Sequence, residues 1–96
     1  MPPVVLIHPF EVPEGKDEAL LAEWEAAKAF MERQPGYIAT RLHRSLMPNA
    51  RFRFINEAEW VSVEDFQAAL NHPAFIKLRD ATPFAHFPAV YEVIRT

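Results

Sequence analysis

Val4-Val5-Leu6-Ile7 places four apolar side chains in succession near the start of the chain. Successive residues of a strand point to opposite faces, so a strand here is apolar on both sides and needs cover on both. The run stops at His8, well short of a signal core or a membrane span, and no basic segment precedes it. The strand is expected to run from Val4 to Val12. Pro9 cannot donate to a ladder, which predicts a bulge or an unpaired position there.

The periodicity then changes. Leu20, Trp24, Ala27 and Met31 recur at helical spacing, with Leu21 and Phe30 widening the stripe, and predict a helix over Asp17–Arg33. Asp17 and Glu18 suit the positive end of its dipole, and Gln34-Pro35-Gly36 stops it. Strands are expected over Tyr37–Leu46 and Arg51–Trp60, joined by Met47-Pro48-Asn49-Ala50. The second of these alternates: Phe52, Phe54, Asn56, Ala58 and Trp60 share one face. Ser62 with Asp65 three residues on reads as a capping box, opening a helix to about Leu70. Pro73 opens another helical piece through Asp80. Thr82–Pro88 reads as a loop and Ala89–Ile94 as a final strand.

The order is β-α-β-β-α-β, an α+β ferredoxin-like arrangement with a four-stranded antiparallel sheet. The length of 96 residues suits a single domain spanning 1–96. Two helices cover only one face of such a sheet. The two-sided first strand therefore predicts a partner on the other, most simply a second copy of the chain in a homodimer.

Composition narrows the function. The net charge is −3 and no Lys/Arg run occurs, which argues against a nucleic-acid partner. Arg41, Arg44, Arg51 and Arg53 surround the expected hairpin, where ion pairs with Glu57 and Glu59 explain them better than phosphate binding. There is no cysteine, which excludes disulfides, thiol catalysis and thiolate metal sites. The four histidines show no metal-ligand spacing, so no metal is expected. The expected compartment is the cytoplasm, with no membrane partner.

Several local strings occur in an informative order. They are Leu6-Ile7-His8-Pro9-Phe10 with Pro13-Glu14-Gly15-Lys16, Gln34-Pro35-Gly36-Tyr37, Thr40-Arg41-Leu42-His43-Arg44, Phe54-Ile55-Asn56-Glu57-Ala58-Glu59-Trp60, and Pro88-Ala89-Val90-Tyr91. Together they resemble the antibiotic biosynthesis monooxygenase family from about Val4 to Ile94. The resemblance implies a dimeric α+β barrel with a pocket between sheet and helices. It also implies a cofactor-independent oxygenation of an electron-rich aromatic or quinol-like molecule. The alternative is a small-ligand-binding or stress-response barrel without turnover.

Asn56 and Trp60 share a strand face about 13 Å apart. The resemblance makes them pocket residues, Asn56 as a hydrogen-bond donor to a substrate oxygen and Trp60 as a stacking platform. Arg79, after Pro73, matches an arginine of the polyketide oxygenases and would pair with a developing anion. Their pocket tyrosine falls on Phe66 here, which removes a phenolic hydroxyl. His8 shares parity with Leu6 and Phe10, and an imidazole there suits a base near neutral pH. Catalytic candidates are Asn56, Trp60, Arg79 and His8, lining one cavity with His8 at its margin. The alternative is packing alone, with Trp60 a helix anchor, Asn56 a satisfied buried amide and His8 a core histidine. His43 reads as a strand-surface residue, and His72 and His86 pair with nothing recognisable. The haem-degrading relatives need a Trp and a His where Ala69 and Arg79 stand, so haem degradation is disfavoured.

Overall fold

The computed structural model describes residues 2–96. Its elements are β1 (Val4–Glu11), α1 (Asp17–Met31), β2 (Tyr37–Arg44), β3 (Phe54–Trp60), α2 (Val63–Leu70), α3 (Pro73–Ala81), β4 (Ala85–His86) and β5 (Ala89–Tyr91). The sheet is antiparallel and open, in the order β2-β3-β1-β4, with β5 also on β1. This is the ferredoxin-like α+β fold, with the fourth strand position filled by two short pieces.

That division corrects the expected single strand over Ala89–Ile94. Pro88 separates the pieces and has no N–H for the ladder. β5 pairs Val5–Ile7 and β4 pairs Phe10–Glu11, so Pro9 faces the break between them. Its carbonyl points to that side and accepts from Phe87 N–H at 3.0 Å. The missing N–H of Pro9 therefore falls where the neighbouring strand is interrupted, and the β1–β3 register runs through Pro9 without a bulge.

The β2–β3 hairpin is shorter than its pattern suggests. Ser45 Oγ accepts from Met47 N–H at 3.0 Å, a local turn that competes with strand pairing. Phe52 consequently lies outside β3. Arg51 covers this loop, its guanidinium 4.8 Å from the Phe52 ring, 5.5 Å from Phe87 and 2.7 Å from Glu11.

The helix ends follow their chemistry. α1 closes through i→i−3 bonds from Arg33 to Phe30 and from Gln34 to Met31. Gly36 follows at φ 86°, a left-handed conformation that glycine adopts without strain. Ser62 Oγ accepts from Asp65 N–H at 3.1 Å and caps α2. His72 Nδ1 accepts from Ala74 N–H at 3.0 Å and caps α3, with Pro73 at its first position. Among the described residues no helix is long and apolar enough to cross a membrane.

Helices cover one sheet face in two apolar clusters. Leu6, Ala58 and Trp60 pack with Phe66 and Ala69 of α2. Phe54 packs with Leu20 and Phe84, joined by Phe10, Trp24 and Leu42. The opposite face carries Val5, Ile7, Pro9, Ile55 and Tyr91, with Ile7 38% and Tyr91 52% exposed.

Candidate functional site

On the helix-covered face, the paired residues His8 and Asn56 fall between the two clusters. One step along the ladder lie Leu6 and Ala58 of the first cluster. One step the other way lie Phe10 and Phe54 of the second. A polar row thus crosses an otherwise apolar face.

The carboxamide of Asn56 is fixed by two donors. Trp24 Nε1–H donates to its Oδ1 at 2.9 Å, and Thr40 Oγ–H donates to the same oxygen at 2.8 Å. An indole N–H can only donate, which settles the amide orientation. The carbonyl oxygen is occupied, and the NH2 group makes no hydrogen bond within the described residues. Trp60 Nε1 is the only fully buried side-chain nitrogen or oxygen without a partner among those residues, so the Asn56 NH2 is not sealed off. Its direction is set by the two bonds to the oxygen.

His8 and His86 form the second polar feature. Nε2 of His8 and Nδ1 of His86 are 2.8 Å apart, so one ring donates to the other. Phe10 stacks on His8 at 4.3 Å and on His86 at 5.8 Å between centroids. Burial, and secondarily the neighbouring His86, lower the His8 pKa from 6.5 to about 4. His8 is therefore a neutral imidazole at pH 7. The pairing corrects the expectation that His86 has no histidine partner. It arises because β4, absent from the sequence reading, sets His86 against Phe10 of β1.

The remaining candidates lie apart from this row. Trp60 is 2% exposed, enclosed by Tyr37 and Phe66 at 5.7 and 5.5 Å between centroids. It shares its strand face with Asn56 but belongs to the cluster beneath α2, and its indole N–H is the unpartnered atom noted above. Arg79 is exposed on α3 and pairs with Asp80 at 3.5 Å. The structure brings His8 and Asn56 together as strand neighbours and joins neither Trp60 nor Arg79 to them by a hydrogen bond. Two concavities, of about 380 and 500 Å³, lie at the β2–β3 loop and beside Val12 and Phe84. Neither borders any of the four candidates.

Trp24, Thr40 and His86 escaped the sequence reading as site residues. Trp24 lies in the apolar stripe of α1, where its period marks it as core. Only its indole nitrogen distinguishes it from a leucine there. On the uncovered face His43 is a surface residue, as expected. It and Arg41 meet Glu57 Oε1 at 3.0 and 3.1 Å. Hydrogen bonds from His43 first, then Arg41, hold the Glu57 carboxyl below its ordinary pKa. Of the other arginines, Arg53 pairs with Asp17 rather than with Glu57 or Glu59, tying the start of α1 to the hairpin at 2.9 Å. Among the described residues no group of three or more His, Asp or Glu side chains is placed to hold a metal.

Comparison with known proteins agrees with this architecture. The pattern of the antibiotic biosynthesis monooxygenase family matches residues 3–81. A Shewanella loihica PV-4 protein, provisionally assigned as a monooxygenase, is 45% identical, with a TM-score of 0.84 over 98% of this chain and 96% of that one. SnoaB, a cofactor-independent oxygenase from Streptomyces nogalater, superposes with a TM-score of 0.85 at 22% identity, over 100% of this chain and 97% of that one. The haem-degrading protein Rv3592 from Mycobacterium tuberculosis has a TM-score of 0.70 at 28% identity, over 99% of this chain and 98% of that one. No curated protein matches. With the family pattern covering most of the chain, the protein belongs to the antibiotic biosynthesis monooxygenase family.

Proposed function

We propose that the protein is a cofactor-independent monooxygenase of an electron-rich aromatic or quinol-like small molecule, working as a homodimer. The observation that carries the reading is the Asn56 amide, whose oxygen is held by Trp24 and Thr40 so that its NH2 is turned to donate. A fixed donor costs no reorganisation when negative charge appears on a substrate oxygen, which is where it is worth most.

In the proposed reaction a phenol or enol loses its proton, and the anion passes an electron to dioxygen. Recombination forms a C–O bond at a ring carbon that bears hydrogen. The resulting hydroperoxide loses water as its O–O bond and that C–H bond break, leaving a C=O, so the substrate itself supplies all four electrons. Asn56 stabilises the anion. His8, neutral and facing the same side of the sheet, accepts the proton. Arg79 on α3 is paired with Asp80 and would add positive charge only on turning from that carboxylate. Trp60, 2% exposed in the cluster beneath α2, offers its unpaired indole N–H as a second donor to a ligand that parts this packing. The uncovered sheet face, with Ile7 and Tyr91 partly exposed, supports the dimer.

The test is Asn56→Asp, measured for oxygen uptake with a dihydroxynaphthalene. Aspartate keeps an acceptor for Trp24 and Thr40 but removes the donor and opposes the anion. Turnover should fall on the order of 10²-fold while the fold survives. Undiminished turnover removes Asn56 from the mechanism. No turnover by the unsubstituted protein, with saturable binding of the same compound, points instead to a ligand-binding barrel.

A further inference from the structure

We infer that His8 and His86 form a two-imidazole proton relay, which takes the hydroxyl proton of a bound phenol or enol at His8 Nδ1 and releases another to solvent from His86 Nε2. The substrate class rests on the reading above. The relay itself rests on the geometry of the pair.

Each ring uses one nitrogen for the other, His8 Nε2 facing His86 Nδ1 at 2.8 Å. The outer nitrogens, His8 Nδ1 and His86 Nε2, make no hydrogen bond among the described residues. Neither is fully buried, since Trp60 Nε1 is the only such unpartnered atom there. The pair is therefore a continuous path with two open ends. Its inner ring is the strand neighbour of Asn56 on the helix-covered face, beside the directed amide donor. Its outer ring lies on the short strand β4, next to the break at Pro88. Phe10 stacks on both rings and holds them in register.

The chemistry explains why two rings serve better than one. As a lone base His8 would have to become an imidazolium in a site that opposes the charge. With a pKa of about 4 it is a poor acceptor for a phenol, whose pKa is near 10. The relay avoids that charge. The substrate O–H proton goes to His8 Nδ1 as the Nε2 proton of His8 passes to His86 Nδ1, and the Nε2 proton of His86 passes to water. Neither ring gains net charge in the step, and their tautomers are exchanged. The substrate becomes an anion beside the Asn56 NH2, and one proton enters solvent. No electron moves in this step.

The titratable group touching His8 is His86. Its other neighbours by pairing and stacking, Asn56 and Phe10, are uncharged, and no carboxylate hydrogen-bonds to either ring among the described residues. His86 acts through His8 and is a positioning residue rather than a catalytic one.

The experiment is nitrogen NMR on protein labelled with 15N-histidine, with a dihydroxynaphthalene added without oxygen. Free protein should show a nitrogen–nitrogen coupling across the His8–His86 hydrogen bond. On binding, His8 Nδ1 should change from an unprotonated to a protonated nitrogen, with one proton released to buffer. In air, His86→Ala should lower kcat on the order of 10²-fold with KM nearly unchanged, and added imidazole should restore part of the loss. Absence of the coupling or of the tautomer exchange overturns the relay, even if the protein turns the compound over. An unchanged kcat in His86→Ala overturns it as well. Coupling and exchange without turnover in air uphold the relay and overturn the oxygenase reading.

Discussion

Acid should destabilise this protein through His8 in a defined window. Burial lowers the folded-state pKa of His8 from 6.5 to about 4. The unfolded chain therefore takes up a proton at this position first as the pH falls, and that uptake favours unfolding. The stabilisation is fully present above about pH 6.5 and is lost progressively as the pH falls towards 4. Its size follows from the displacement, roughly 3 kcal/mol at 1.36 kcal/mol per pH unit. Carboxylates titrate over part of the same range, so the unsubstituted protein alone does not isolate the effect. His8→Gln does, because glutamine can still hydrogen-bond to His86 and does not titrate. Urea unfolding of both proteins, followed by the fluorescence of Trp24 and Trp60, should be measured at intervals from pH 4 to pH 7.5. The stability difference between them should grow in favour of the unsubstituted protein by about 3 kcal/mol across that range. Parallel curves would refute the argument, because they would mean that His8 titrates alike in both states.

Other outcomes are equally direct. Light scattering after size exclusion should give about twice the 11.1 kDa chain mass at low micromolar protein, and Ile7→Glu, which sets a second carboxylate opposite Glu57 on the uncovered face, should shift it to monomer. Gly36→Ala should cost roughly 1–3 kcal/mol in chemical denaturation, because the position has φ 86° and a Cβ there would overlap the Asp65 side chain. Haem titration should give no saturable one-to-one Soret shift, and ascorbate should not bleach the pigment faster than a protein-free control, given Ala69 and Arg79 at the positions discussed above.

The fold was legible where one local signal sufficed. The α1 stripe, the Ser62 cap, Pro73 and the alternation from Phe54 to Trp60 each carry their own period or cap chemistry, and each stands as expected. At the fourth strand position β5 was legible as the start of the expected Ala89–Ile94 strand, but β4 was not, because two residues are too few to show a period. Pro83 and Pro88 nearby also read as loop. That gap hid His86, whose partner lies 78 positions away and is fixed by the register of β4 on β1. Parity on β3 put Asn56 and Trp60 on one face but gave no account of what stands above each. Asn56 meets Trp24 of α1, whereas Trp60 meets Phe66 of α2. Periodicity assigns faces. The height at which two helices cross a sheet depends on packing that no single segment encodes.

The same crossing gives the polar row its meaning. If His8 and Asn56 were apolar, the two clusters would merge into one continuous core, with more buried apolar area and no amide to satisfy. The chain instead recruits an indole and a hydroxyl to hold one side-chain oxygen. A neutral amide used only for packing would stabilise most with all its groups paired. Here the oxygen is held by two donors and the nitrogen by none within the described residues. The same asymmetry recurs at the histidine pair, with inner nitrogens joined and outer ones open. A fixed donor and a joined imidazole pair on one apolar face are what the proposed reaction would use.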